Sequence, residues 1–318
     1  MGTPRYLAPG ILQIDTLLGG WEEVTASYLV EGPAPVLVET GSQTSVPVLL
    51  KALADHGVAP DDLAGVAVTH IHLDHAGGVG DIARAFPRAK VYVHEKGARH
   101  LADPARLVAS AATVYGSALD SLYGRIDPTP ADRVHVLADG EELKVGGGRS
   151  LRTIYSPGHA KHHLALHDSA TGTLFAGDAV GVRLPGAGVL WPATPPADFD
   201  LEQALNSLNL FAEARPSAIA LAHYGPLPGD PVTQLEEAAD ILHQWAAVAE
   251  AAWRAGRDVE TALHHRFGGG LAALPHQERA KMDALNGLHS NAAGLNGWLA
   301  KRGPAADGGG TNWSRPGH

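Results

Sequence analysis

Three histidines and one aspartate lie within six residues of one another, in the stretch Thr-His-Ile-His-Leu-Asp-His-Ala-Gly-Gly at residues 69–78. The four donors are His70, His72, Asp74 and His75. Neutral imidazole and carboxylate are the usual protein ligands of a borderline metal ion such as zinc. Four such groups cannot all bind one tetrahedral ion and still leave it an open position. The spacing therefore favours a site for two ions over four unrelated polar residues.

The residues on either side of this motif predict where it lies in a fold. Residues 63–68 are mostly apolar and β-branched, which is typical of a buried strand. The Gly-Gly pair that ends the motif suits a turn into a helix at about residues 79–86. The donors are therefore expected on a tight loop at the C-terminal end of a strand, where α/β proteins place their sites.

Three more donors each follow a run that is predicted to be a strand. His159 comes after residues 151–155, and Asp178 comes after residues 174–176. His223 directly follows residues 218–222. Taken singly, either histidine could be an ordinary core residue, and Asp178 could cap a helix. Together with the first motif, they predict a larger metal-binding constellation.

These motifs resemble those of the metallo-β-lactamase superfamily, in particular its glyoxalase-II-like stand-alone hydrolases. The matching stretches occur in the family's order at residues 69–78, 156–159 (Ser-Pro-Gly-His), 175–178 (Phe-Ala-Gly-Asp) and 222–225 (Ala-His-Tyr-Gly). The resemblance covers about residues 10–226. It implies an α/β fold, the four-layer αβ/βα sandwich, which also suits strands and helices that alternate in two similar halves.

By this resemblance, seven side chains would hold two divalent metal ions. Zinc is expected, and iron or manganese are compatible with the same ligands. The first ion would be bound by His70, His72 and His159. The second ion would be bound by Asp74, His75 and His223, with Asp178 bridging both. Two cations that share one water lower its pKa, so that hydroxide is available near neutrality.

Several further residues are weaker candidates, and each has a structural alternative. Glu39 stands where the family usually has an aspartate that supports the ligands, or it is a strand-end carboxylate facing a turn. Tyr224 donates to an oxyanion or packs as an aromatic. His94 and His163 orient ligands or substrate, or are structural. Residues 182–199, with four prolines, line a substrate pocket or only connect two elements.

Composition narrows the class of protein. The 318 residues are 45% hydrophobic and carry a net charge of −10, which argues against a nucleic-acid partner. The absence of cysteine excludes disulfides, a cysteine nucleophile and the lactamase subclasses with a cysteine ligand. Residues 1–12 lack the features of a signal peptide, and no apolar run is long enough to span a membrane. A cytoplasmic protein with a small-molecule substrate is expected, and the oligomeric state is left open.

The composition shifts beyond residue 226. Residues 233–253, 259–267 and 277–299 are rich in alanine and leucine and predict helices. We therefore expect a catalytic domain at residues 1–229, a helical C-terminal extension at 230–302 and a disordered tail at 303–318. Because His223 is the last predicted donor, the extension is expected to lie outside the chemistry.

The resulting hypothesis is a binuclear metal-dependent hydrolase in which a metal-bridged hydroxide attacks a small thioester, ester or lactone. Asp74 and Tyr224 are its predicted catalytic side chains. Residues 182–199 hold a single cation, Arg183, and therefore suit an apolar acyl chain better than a polyanion. A phosphodiesterase or endoribonuclease with the same metals is the alternative. A metal-bearing scaffold that catalyses nothing is a third possibility, which the intact set of seven donors disfavours.

Overall fold

The structure is a computed structural model that describes residues 4–116 and 118–302. Within these ranges the strands are β1 Arg5–Ala8, β2 Ile11–Asp15, β3 Ala26–Val30, β4 Val36–Val38, β5 Gly65–Ala67, β6 Lys90–His94, β7 Val134–Leu137, β8 Glu142–Gly146, β9 Arg149–Tyr155, β10 Leu164–Asp168, β11 Thr173–Gly177, β12 Ala218–Leu221 and β13 Gly225–Pro226. The α-helices are α1 Val46–Asp55, α2 Leu73–Ala76, α3 Val79–Ala85, α4 Glu95–Ala102, α5 Ala105–Tyr115, α6 Ala118–Leu122, α7 Leu201–Glu213, α8 Pro231–Arg254, α9 Val259–Ala272, α10 His276–Asn286 and α11 Leu288–Arg302.

The strands form two mixed sheets. The first has seven strands in the order β1 to β7, antiparallel as far as β4 and parallel from β4 to β7. The second has six strands in the order β13-β12-β11-β10-β9-β8, in which only the β11–β12 pair is parallel. Parallel neighbours end at the same edge of a sheet, so the residues that follow β5, and those that follow β11 and β12, are brought close together.

The buried apolar side chains divide the molecule into four layers. Tyr28 and Phe175 meet between the two sheets with ring centroids 5.1 Å apart. Leu49 of α1 and Ile82 of α3 pack on the outer face of the first sheet. Helices α7 to α11 pack on the outer face of the second sheet. The predicted αβ/βα sandwich is therefore confirmed.

Two predicted elements near the motif differ from the structure. Asp74 and His75 lie on the short helix α2 and not on the tight loop that the glycine pair predicted. The sequence also predicts a helix at residues 197–214, but α7 begins only at Leu201, because the Asp200 side chain accepts a hydrogen bond from the Gln203 amide and caps the helix there.

The C-terminal helices are more continuous with the core than the sequence indicated. The single helix predicted at 277–299 is broken into α10 and α11 at Gly287, whose ψ of 153° is extended. Leu235, Trp245 and Trp298 from these helices are buried in the same cluster as Phe211 of α7. No break in the described core marks the division at residue 229, and the assignment of residues 230–302 as an extension of the catalytic domain stays a prediction. The predicted tail, 303–318, lies outside the described residues.

None of the helices in the described ranges is both long enough and apolar enough to cross a membrane.

One ion pair ties the two sheets together. Arg149 of β9 donates two hydrogen bonds to the buried carboxylate of Asp168, at 2.7 and 3.0 Å. The same guanidinium donates to the carbonyl oxygens of Gly10 and Glu31 in the first sheet, at 3.1 and 3.2 Å. Thr171 also donates to Asp168, through its amide and its hydroxyl. The carboxylate therefore holds the guanidinium in place as a bridge between sheets.

Replacing this carboxylate should destabilise the fold. Asp168→Asn leaves the part-buried guanidinium without its counter-ion, so we expect the free energy of unfolding at pH 7 to fall by about 3–5 kcal/mol. Urea titration measures it. The matched control is Asp55→Asn, which removes the partner of Lys51 in an exposed pair and should change stability little. Equal losses in the two variants would contradict the assignment.

The same pair predicts a pH dependence. Burial opposes ionisation of Asp168, but Arg149 and Thr171 outweigh it and hold the pKa of the carboxyl below its usual range. Its stabilisation is therefore complete above the unfolded pKa of about 3.9 and is lost as the pH falls through the lower folded pKa. The difference in stability between wild type and Asp168→Asn should shrink between pH 5 and about pH 2.

Candidate metal centre

All the donors predicted from the sequence lie in one cluster at the strand ends, and all of them except the half-buried His72 are buried. His70 and His72 lie on the segment after β5, and Asp74 and His75 on α2 directly after it. The remaining three come from the second sheet and follow its strands: His159 after β9, Asp178 after β11 and His223 after β12. Their side-chain atoms fall into groups within 4.8 Å of one another.

The first group consists of His70, His72 and His159. The His72 Nδ1 atom lies 3.0 Å from His70 Nε2 and 3.1 Å from His159 Nε2. Two nitrogens bound to one tetrahedral ion at about 2.0 Å are about 3.3 Å apart. Both distances from His72 are therefore close to the spacing that a single ion of this kind requires.

The second group consists of Asp74, His75 and His223. His223 Nε2 lies 3.1 Å from His75 Nε2 and 3.4 Å from Asp74 Oδ2. This spacing again fits one small divalent cation, with a carboxylate replacing one imidazole.

Asp178 lies between the two groups. Its Oδ1 atom is 3.3 Å from His75 Nε2 and 3.4 Å from His223 Nε2, whereas its Oδ2 atom is 3.7 Å from His159 Nε2. Oδ1 is buried and has no hydrogen-bond partner in the described part of the chain. A buried, ionised oxygen without a donor is costly unless a cation satisfies it. The seven donors therefore fit a pair of divalent cations, and ligation by each of them stays a prediction.

Hydrogen bonds from the Nδ1 atoms of two imidazoles fix the orientation of those rings. His223 Nδ1–H donates to the carbonyl of Val24 at 2.9 Å, and His159 Nδ1–H donates to the carbonyl of Ala193 at 3.0 Å. A ring that donates from Nδ1 keeps the lone pair of Nε2 for the metal. These two carbonyls thus select the tautomer in which Nε2 faces the centre.

Glu39, whose role the sequence left open, lies directly behind the motif. Its carboxylate accepts hydrogen bonds from the hydroxyl and the amide of Thr69, the latter at 3.3 Å, and lies 3.4 Å from His75 Nδ1. Glu39 has a φ of 64°, a left-handed backbone conformation that is uncommon outside glycine. The longer side chain thus reaches both the strand end and a predicted ligand.

His163 supports the backbone of Asp178. Its Nε2 accepts the Asp178 amide at 3.3 Å, and its Nδ1–H donates to Ser156 Oγ at 2.9 Å. Gly177, just before Asp178, has a φ of 50°, and an added Cβ would lie 2.6 Å from His163 Nε2. Only glycine therefore fits that turn. The ring of His94, by contrast, stacks on that of Tyr155, with ring centroids 4.5 Å apart.

The pKa shifts distinguish the neutral rings of His70 and His72 from the part of the centre that contains the carboxylates. Burial, followed by the neighbouring histidines, lowers the pKa of His70 and His72, which keeps both rings neutral and able to bind metal. Burial opposes charging of His75 as well, but the carboxylates, led by Asp178, hold its pKa above the usual range. Burial would raise the pKa of Asp74, yet His75 and His223 lower it to about 2, so this carboxylate is ionised at neutral pH.

One neighbouring histidine was missed by the sequence analysis. The His162 ring lies parallel to that of His70, 10° from coplanar, with centroids 6.2 Å apart. Its Nδ1 accepts the amide of Ile71 at 3.4 Å, and burial lowers its pKa to about 4. Its position three residues after His159 was the available signal.

Tyr224 is half-buried beside His223, its predicted ligand neighbour. Its ring packs against the clusters on both faces of the second sheet. Burial raises its pKa, and the charges that act most strongly on it after burial are Asp15, Arg5 and Glu23, none of them a predicted ligand. These surroundings favour the packed-aromatic alternative, and donation to an oxyanion stays a prediction.

The part of the chain that holds the seven donors is similar to known proteins. Residues 20–223 match the family model described as "Metallo-beta-lactamase superfamily". A relative is the metallo-beta-lactamase fold-containing protein ST1585 of Sulfurisphaera tokodaii, 32% identical over 64% of this chain and 74% of its own. The crystal structure of ST1585 superposes with a TM-score of 0.62 at 28% identity, covering 73% of this chain and 85% of that one.

Two further comparisons differ in how much of the chain they include. A hydroxyacylglutathione hydrolase of Synechococcus is 29% identical over 57% of this chain, which spans 56% of that relative's length. The crystal structure of TTHA1429, a metallo-beta-lactamase family protein of Thermus thermophilus, matches with a TM-score of 0.64 at 23% identity. That match covers 96% of this chain and 97% of the other, so the shared fold extends into the C-terminal helices.

The shared position of Asp178 predicts how metal content responds to its loss. Asp178→Ala removes a donor from both groups, so elemental analysis after dialysis should find both ions depleted, from about two per chain to well below one. His264→Ala is the control, because this histidine is exposed on α9 and should not alter the content. Retention of two ions by Asp178→Ala would rule out the bridging position.

The surroundings of Tyr224 predict the effect of removing its hydroxyl. Tyr224→Phe keeps the packed ring, so we expect kcat within about twofold of wild type and unchanged metal content. Kinetics on a metal-loaded preparation measure it. A drop in kcat of about 10²-fold or more, with full metal content, would restore the oxyanion role.

Proposed function

The chain belongs to the metallo-β-lactamase superfamily and is a hydrolase, and from this premise we propose that it hydrolyses a small thioester, ester or lactone at a binuclear metal site. The observation that carries the proposal is Asp178, whose two carboxylate oxygens face two different groups of donors. A carboxylate shared in this way supports two cations about one catalytic water.

The side chains around the proposed catalytic water have different roles. Two divalent cations held here would supply a water of lowered pKa and a Lewis acid for the substrate oxygen. Asp74, ionised at neutral pH, can accept a hydrogen bond from the attacking water and orient it. The neutral rings of His70 and His72 add no positive charge of their own to compete with the cations. Burial of the donors limits the bulk water that would weaken these interactions.

The loop after Asp178 supports an apolar substrate arm. Arg183 donates its amide to the carbonyl of His223 at 2.6 Å, and Val182 pairs with Trp191, so this loop is anchored at the centre. Beyond Trp191 is a cavity of about 210 Å³ that Trp245 and Phe267 also line, together with Gln244 and Arg266. None of the seven donors lines this cavity, and its mostly apolar wall suits an acyl or aryl group at the far side of the anchored loop.

Charge weighs against a nucleic-acid phosphodiester. A polyanion needs several cations along an extended groove, whereas this chain has 24 lysines and arginines against 34 acids. The one cation in residues 182–199, Arg183, already donates to the carbonyl of Gly188 at 3.0 Å. The relative named hydroxyacylglutathione hydrolase also supports the proposal of an acyl substrate.

The proposal predicts a ranking of substrates. With one zinc-loaded preparation, kcat/KM for acyl thioesters, lactones and aryl esters should exceed that for bis-p-nitrophenyl phosphate and single-stranded RNA by at least about tenfold. Asp74→Ala, prepared identically, is the blank, and it should lose most carbonyl hydrolysis because a ligand and water-orienting group is gone. Faster zinc-dependent cleavage of RNA or the phosphodiester than of every carbonyl substrate would overturn the proposal.

A further inference from the structure

We propose that Asn291, in the last described helix, positions the predicted metal ligand His159 through a single peptide group of the loop at residues 192–195. The inference rests on the proposed function only in taking His159 as a ligand. It gives α11 a part in shaping the metal centre, whereas the sequence had placed the C-terminal helices outside the chemistry.

The first link is the peptide group between Ala193 and Thr194. Its carbonyl oxygen, on Ala193, accepts the hydrogen bond from His159 Nδ1–H at 3.0 Å. Its N–H, on Thr194, donates to Asn291 Oδ1 at 2.8 Å. A peptide group is planar and rigid, so its two polar ends move together. Fixing the N–H end therefore also fixes the carbonyl that orients the imidazole.

The second link is Asn291 itself, whose side chain is 1% exposed and fully hydrogen-bonded. Besides the amide, its Oδ1 accepts from the Thr194 hydroxyl at 2.7 Å. Its Nδ2 donates to Asn286 Oδ1 at 2.9 Å and to the carbonyl of Gly287 at 3.2 Å. Burial of an amide side chain costs free energy unless all its polar atoms are hydrogen-bonded. Asn291 therefore makes contacts here that an apolar side chain of the same size could not make.

Helix α11 also packs closely against the loop at residues 192–195. A Cβ added at Gly294 of α11 would collide with the carbonyl oxygen of Thr194. On the other side of Ala193, Asn286 Nδ2 donates to the carbonyl of Pro192 at 2.9 Å. The helices thus hold the loop on both sides of the carbonyl that receives the His159 hydrogen bond.

The second group of donors is oriented by other parts of the chain. His223 Nδ1–H donates to the carbonyl of Val24, which lies just before β3, and His75 faces Glu39 after β4. Loss of Asn291 should therefore weaken the first metal site and spare the second. A general loss of stability would affect both sites alike.

The experiment compares the two zinc affinities in the full chain, by competition with a chromophoric chelator at a temperature where near-UV circular dichroism shows every variant folded. Asn291→Leu, of similar volume but without hydrogen bonds, should weaken one site by about 10–100-fold and leave the other within about threefold. His159→Ala identifies the first site, and the site weakened in Asn291→Leu should be that one. Leu263→Ala, buried in the same cluster on α9, is the matched control and should leave both affinities unchanged.

A second pair of variants keeps the test decisive if Asn291→Leu does not fold. Thr194→Val loses the hydroxyl contact with Asn291 but keeps the amide one, so it should weaken the same site by less than Asn291→Leu does, whereas Thr194→Ser keeps both contacts and should behave as wild type. Equal weakening of both sites, or the same pattern in Leu263→Ala, would overturn the inference, as would unchanged affinities in Asn291→Leu and Thr194→Val. A wild type that binds two zinc ions but cleaves no carbonyl substrate would remove the proposed function alone.

Discussion

The arrangement of the centre is governed by the cost of bringing lone pairs together inside a protein. The predicted ligand atoms of neighbouring side chains lie 3.0 to 3.4 Å apart, with the nitrogens of His70, His72 and His159 facing one another, and the oxygens of Asp178 face imidazole nitrogens on both sides. Without a cation this geometry is unfavourable, so it has to be held by contacts outside the donors themselves. Much of the surrounding structure consists of such contacts.

These contacts come from separate layers of the fold. The first sheet supplies Glu39 and the carbonyl of Val24, the second sheet supplies His163, and the helical layer acts on the loop that carries Ala193. Because these ligands are anchored from different directions, the complete centre depends on both sheets and on the outer helices. The Arg149–Asp168 pair, which ties the two sheets, contributes to the same alignment at a distance from the ligands.

The features that depend on side-chain type and on short local motifs could be predicted from the sequence. The donors at residues 70–75 form one short motif, the other three follow strand-like runs, and the four-layer fold was confirmed. Ligand support was harder to predict, because carbonyl oxygens such as those of Val24 and Ala193 belong to every residue type. Asn291 is remote in sequence from His159 and shares no pattern with it, so only the folded chain reveals their connection. The break at Gly287 and the cap at Asp200 were missed because glycine inside a helix and a single aspartate before one are weak local signals.

The place of Asn291 after all seven donors along the chain has a consequence for biosynthesis. During translation all seven donors leave the ribosome before α11 does, and an N-terminal part of a chain begins to fold before the rest is made. Under the proposed coupling, the donors supported by Val24 and Glu39 can reach their final geometry on the nascent chain, whereas His159 must wait until α11 has docked on the loop. The two metal sites would then mature in a fixed order, with the site of His70, His72 and His159 completed last.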